Sequence, residues 1–76
     1  FEKVHVLNID NGERLETYVI KEKRGSGNVC IYGAAAHLIK TGHRVIILAY
    51  GSLPSNDLAS HKPSILYLNS NNSIKD

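Results

Sequence analysis

Apolar and polar positions alternate over residues 3–7, where Val4 and Val6 are set between Lys3 and His5 and Leu7 closes the stretch. A period of two marks a half-buried strand. The stretch runs into Asn8-Ile9-Asp10-Asn11-Gly12, and an Asn-Gly pair readily takes the positive backbone dihedrals of a tight hairpin. Residues 14–21 concentrate the β-branched and aromatic types Thr17, Tyr18, Val19 and Ile20, which predicts a second strand paired with the first. Lys23-Arg24-Gly25-Ser26-Gly27-Asn28 reads as a flexible loop, and Val29-Cys30-Ile31-Tyr32 as a third, short strand. Gly33-Ala34-Ala35-Ala36-His37-Leu38 then starts a compact helical turn that Thr41-Gly42 ends.

Residues 44–50 form an apolar, β-branched run bounded by Gly42 and Gly51. The run is too short for a typical helix and predicts the central buried strand. Ser52-Leu53-Pro54-Ser55 gives a turn, residues 56–60 a short helical turn capped by Ser55, and Lys62-Pro63 the approach to a further strand over residues 64–68. Asn69-Ser70-Asn71-Asn72-Ser73 is a polar turn, and residues 74–76 are a frayed end or the edge of a last pairing. Short strands at this spacing, with one or two helical turns, point to a small mixed β-barrel, and residues 1–76 to a single domain.

Charge narrows the function. Nine Lys and Arg stand against seven Asp and Glu, a formal net charge of +2, and the basic residues are scattered among acids, so nucleic acid is not the leading partner. One cysteine, Cys30, rules out an internal disulfide, and the histidines at 5, 37, 43 and 61 follow no metal-ligand spacing. No metal is expected, and a reducing cytoplasm fits. The longest apolar run, residues 45–50, falls far short of the roughly 20 residues that cross a bilayer, and Phe1 begins no signal peptide. A chain of 76 residues buries too little surface to be robust alone, so association with other chains, or membership of a longer protein, is expected.

Three blocks carry more specific information: Asn11-Gly12-Glu13-Arg14-Leu15-Glu16-Thr17-Tyr18, then Arg24-Gly25-Ser26, then Tyr32-Gly33-Ala34-Ala35-Ala36-His37 followed by Gly42 and Val45-Ile46-Ile47. In this order and spacing they resemble the aspartate 1-decarboxylase family, the pyruvoyl-dependent enzymes that make β-alanine for pantothenate synthesis, and Lys62-Pro63 fits the same pattern. The resemblance implies a mainly β fold, a double-psi β-barrel with short helical turns, assembled as a homotetramer. It also implies L-aspartate as substrate and a smaller chain cut from the same proenzyme at a Gly-Ser bond. The serine at that bond becomes the pyruvoyl group. That segment lies upstream of Phe1, so the chain is expected to be an incomplete barrel lacking its N-terminal part. Gly25-Ser26 aligns with a later surface loop of the family, so no cofactor-forming serine is expected in this chain.

The chemistry suits the residue types. A pyruvoyl carbonyl that condenses with the amine of aspartate draws off the electron pair released as carbon dioxide leaves, and the protein must supply charge and a proton. Arg14 offers a planar fork for a substrate carboxylate; taken alone, it reads more readily as a solvated arginine pairing with Glu13 or Glu16, and the resemblance turns the reading to substrate binding. By resemblance Tyr18 is the proton donor, and Thr17 contacts substrate and assists cofactor formation, whereas residue type alone makes Tyr18 half-buried and Thr17 an ordinary strand residue. Alternation sends the two to opposite faces, so one site uses both only if the strand bends or the site lies at a subunit boundary, and the boundary is expected. Gly33, Ala34 and Ala35 lack bulky side chains, so their amides can approach an anion. The resemblance makes them substrate-binding; alone, they read equally as a packing corner. Tyr32 stands where the family usually has asparagine. His37 is expected to make a structural hydrogen bond, His43 to be a surface turn change, His5 and His61 to be exposed, and Cys30 to be an inert thiol on a buried strand. A non-catalytic barrel that has lost the cofactor-forming segment is the competing reading, and a basic nucleic-acid-binding barrel a weaker third.

Overall fold

In a computed structural model, which describes residues 1–75, the alternation at the start of the chain becomes β1, Lys3–Asn8. Val4, Val6 and Asn8 are buried on one face, while Lys3, His5 and Leu7 lie on the other. The chain turns through residues 9–13, where Gly12 has φ +75° and donates its N–H to Asn8 O at 2.9 Å. Only glycine takes that conformation without steric cost. β2, Arg14–Tyr18, returns antiparallel in the register Lys3↔Tyr18 through Leu7↔Arg14. The hairpin is the one expected, but β2 stops at Tyr18 instead of running to Lys21.

β3, Val45–Leu48, pairs antiparallel with the other edge of β1, in the register His5↔Leu48 through Asn8↔Val45. The order is therefore β2-β1-β3, and the fold among the described residues is mainly β, a three-stranded antiparallel sheet with short 3-10 turns. The apolar run at 44–50 is thus an edge strand, not the central buried one, and Ile47 is 53% exposed. Residue type reports that a segment suits a pleated surface but not how many neighbours it acquires. β1, with less apolar content, has both edges paired.

The buried cluster is Val4, Val6 and Ile39, with Leu15, Ile31, Leu38 and Val45 packed against it. Ile39 follows a 3-10 turn over Gly33–His37, whose Ala35 carbonyl accepts the N–H groups of Leu38 and Ile39 at 3.0 and 3.1 Å. Residues 29–32 form no strand. Ile31 supplies a side chain to the core, yet its backbone has no strand to pair with, and Cys30 is exposed instead of buried on a strand.

The chain divides into two compact units, residues 1–21 with 29–50 and residues 22–28 with 51 onward. The first holds the sheet. In the second, a 3-10 turn covers Ser55–Asp57 and starts from Pro54, with no side-chain cap from Ser55. Residues 64–68 make no strand; a single bridge joins Leu68 to Ile74. That bridge closes the polar turn expected at 69–73, in which Asn69 N–H donates to Ser73 O at 2.8 Å. Asn72 Nδ2 ties this turn to Gly27 O at 2.6 Å. Of residues 74–76, Asp76 lies outside the described residues. Among those described, no helix is long and apolar enough to cross a membrane.

Candidate functional site

The unbroken β1–β2 register decides which side chains share a face. Arg14, Glu16 and Tyr18 stand with Lys3, His5 and Leu7, while Thr17 and Leu15 stand with Val4 and Val6. β2 has no bulge to turn Thr17 toward Tyr18, so the two hydroxyls leave the strand on opposite faces. Along the first face lies an open cleft of about 460 Å³ lined by Lys3, Val4, His5, Glu16 and Tyr50. A second cleft, of about 320 Å³, adjoins it and is lined by Lys3, Glu16, Thr17 and Tyr18.

Arg14 pairs with neither Glu13 nor Glu16. Its Nη2 donates to His5 Nδ1 at 3.2 Å and to Tyr50 Oη at 3.1 Å. Glu16 instead accepts from His5 Nε2 at 3.0 Å and from Lys3 Nζ at 3.2 Å. The hydrogen bond from His5, the hydrogen bond from Lys3 and the Lys3 charge hold the Glu16 carboxyl below the ordinary glutamate range. The acid on this face is thereby compensated, and Arg14 keeps its charge available for an anion.

Tyr18 is exposed, not half-buried, and its ring lies against Phe1 with centroids 5.7 Å apart. Four strand steps of roughly 3.4 Å separate it from Arg14, so two long side chains bracket a space between the ends of β2. Gly33 has φ +68°, a conformation that favours glycine, and it opens the 3-10 turn that carries Ala34 and Ala35. The other end of that turn is fixed from the hairpin, because Leu38 O accepts from Asn8 Nδ2 at 3.0 Å and Asn11 Nδ2 at 2.8 Å. Thr17 and Tyr18 line one cleft, and Arg14 lines neither but is tied to His5 and Tyr50 of the adjoining one, whereas no hydrogen bond among the described residues links Gly33, Ala34 or Ala35 to them.

Three histidines, His5, His43 and His37, depart from expectation. His5 is half-buried within the Arg14 cluster, and His43 is a structural acceptor whose Nδ1 receives Asn8 Nδ2 at 2.9 Å and Lys40 N–H at 3.1 Å. His37 is exposed and makes no hydrogen bond among the described residues; His61 is exposed as expected. Lys3, His5 and Tyr50 were missed as site residues. No sequence signal placed them: an Asn11-Gly12 two-residue turn would set His5 opposite Tyr18, whereas the longer loop that forms sets His5 opposite Glu16 and Lys3 opposite Tyr18. Among the described residues, no three His, Cys, Asp or Glu side chains gather closely enough to hold a metal ion.

The sequence profile of the aspartate decarboxylase family matches residues 1–75. The chain belongs to that family. Among curated members, the aspartate 1-decarboxylase of Caldicellulosiruptor saccharolyticus is 53% identical over 73 residues, covering 96% of this chain and 57% of the relative. That of Neisseria meningitidis is 49% identical over 75 residues, with 99% and 59% covered, and that of Bacillus subtilis 49% over 74, with 97% and 58% covered. The chain therefore spans just under three fifths of the length of these family members.

Proposed function

We propose that this chain is the larger-chain portion of a pyruvoyl-dependent aspartate 1-decarboxylase, which converts L-aspartate to β-alanine and carbon dioxide for pantothenate synthesis in the cytoplasm. The observation that carries the proposal is the family match over residues 1–75, with relatives that bear this name. The donor set supports it. One face of the sheet offers the Arg14 charge and two phenols, with the Glu16 carboxylate already paired to Lys3, which suits a carboxylate substrate. The remainder of the assembly in this proposal is a double-psi barrel completed by the segment upstream of Phe1, a smaller chain from the same proenzyme, and a homotetramer.

The pyruvoyl group in this reading sits on that upstream segment, and the residues here that fit beside it are Thr17 and Tyr18, which line one cleft from opposite faces of β2. When bound, the group supplies an electrophilic carbonyl that takes up the electron pair left by decarboxylation. Arg14 binds a substrate carboxylate and fixes its orientation. The main-chain N–H groups of Gly33, Ala34 and Ala35 bind a carboxylate as well, in a loop small enough for close approach. Tyr18 Oη gives its proton to the carbon from which carbon dioxide has left, and solvent restores it. In this reading the site lies at a subunit boundary, with residues of two subunits contributing to it.

The test is production of β-alanine from L-aspartate by the full-length protein, with intact mass spectrometry of every polypeptide in the preparation. A short companion peptide, a chain with a blocked pyruvoyl start and turnover are expected. Tyr18→Phe should assemble as the parent does yet form β-alanine at least about 100-fold more slowly, the usual scale for loss of a general acid. Arg14→Ala should raise KM about ten-fold or more. A second reading, a non-catalytic barrel, draws on Tyr32 standing beside Gly33 where the family pattern has asparagine. Tetramers without pyruvoyl or turnover would establish it.

A further inference from the structure

We propose that His5 and Tyr50 are positioning residues that hold the Arg14 guanidinium ready for a substrate carboxylate, and that only the Nε2-protonated, neutral imidazole of His5 does so. The inference rests on the reading of Arg14 as a substrate ligand. Arginine carries a large side-chain entropy, and an anion site gains affinity when that entropy is lost before the ligand arrives. Here the restraint is visible. Nη2 donates both of its hydrogens, one to His5 Nδ1 at 3.2 Å and one to Tyr50 Oη at 3.1 Å. Of the five N–H groups in a guanidinium, the other three make no hydrogen bond with a described residue.

The His5 tautomer follows from its two partners. A guanidinium can only donate, so Nδ1 must present a lone pair, and an ionised carboxylate can only accept, so Nε2 must carry the hydrogen that reaches Glu16 Oε1 at 3.0 Å. The Tyr50 ring stands edge-on to the imidazole, with centroids 5.1 Å apart and planes at 69°, and holds its orientation. The groups facing His5 are Arg14 and Glu16 from β2, Lys3 through the shared Glu16, and Tyr50 from beyond β3. A proton on Nδ1 would set donor against donor and cation against cation at Arg14, while strengthening the pair with Glu16.

The experiment uses the full-length, processed protein and measures KM and kcat for L-aspartate and calorimetric binding of succinate, an unreactive dicarboxylate. His5→Phe and Tyr50→Phe should each raise KM and the succinate Kd about three- to ten-fold, with kcat within about two-fold, and His5→Gln, which keeps an acceptor, should raise them less than His5→Phe. Unchanged KM and Kd in both Phe variants, or a fall confined to kcat, would overturn the proposal. An Arg14→Ala control separates the two readings: if it leaves succinate binding intact, the substrate role of Arg14 fails. If it weakens binding while the His5 and Tyr50 variants do not, only the positioning role fails.

Discussion

Asn8 offers the sharpest test of how the hairpin and the Gly33 turn are joined. It is 2% exposed, and its side chain makes three hydrogen bonds: Nδ2 to Leu38 O at 3.0 Å, Nδ2 to His43 Nδ1 at 2.9 Å, and Oδ1 from Asp10 N–H at 2.9 Å. Asn8→Ala removes all three. Leu38 O still accepts from Asn11 Nδ2, His43 Nδ1 still accepts from Lys40 N–H, and Asp10 is exposed to water. No buried group is left bare, so each bond counts at its ordinary net value of about 1 kcal/mol, without the larger desolvation penalty. With a small cavity added, the expected loss is about 2–4 kcal/mol. Asn11→Ala, which forfeits two exposed bonds, to Leu38 O and from Glu13 N–H, should lose about 1 kcal/mol. Equilibrium urea unfolding of the full-length protein, followed by circular dichroism, measures both. A double-mutant cycle of Asn8→Ala with His43→Ala should show coupling of about 1 kcal/mol. A loss below about 0.5 kcal/mol for Asn8→Ala, or one no larger than for Asn11→Ala, would refute the reasoning.

Gly27 has φ +71°, and a Cβ built there would lie 2.8 Å from Asn71 O. Gly27→Ala should therefore strain the second unit by about 1–3 kcal/mol, read as faster amide exchange at Asn69 and Asn72; unaltered exchange would count against it. Glu16 provides a pH prediction. Its carboxyl is held below the ordinary glutamate range by His5 and Lys3, so the native state favours the ionised form more than the unfolded chain does. The resulting stability is fully present above that range and is lost as pH falls through and below it. Thermal melts from about pH 6 to about pH 3 should fall more steeply for the parent than for Glu16→Gln, and parallel curves would dismiss the effect.

Local chemistry made the hairpin legible. Val4 and Val6 alternate with polar residues and Gly12 supplies a positive φ at the turn, but the register pairs Leu7 with Arg14 across a longer loop than a two-residue Asn11-Gly12 turn would leave. Pairing across the chain was not legible in this way. The Val45–Leu48 run looks like a sheet centre because it is apolar, but position in a sheet depends on which edges find partners, and β1 took that place. Residues 29–32 and 64–68 have strand-like composition but form no strand among the described residues. At the site, Arg14, Thr17 and Tyr18 came from the resemblance of their block to a known family. The surroundings of Arg14 did not, since Tyr50 reaches it across 36 positions through a strand pairing that periodicity does not specify.

The sheet order also fixes a sequence of assembly. Joining β1 to β2 closes only residues 9–13, whereas joining β1 to β3 closes residues 9–44. With loop-closure entropy growing as the logarithm of length, the second closure costs about 1.7 kcal/mol more than the first, before any contact repays it. The hairpin therefore serves as the template, and β3 docks on an edge that already exists. On this route Arg14 and His5 meet early, and Tyr50 completes their cluster only when the long loop closes. Substitutions in β3 should then leave the hairpin's own formation rate untouched and act on the later docking step.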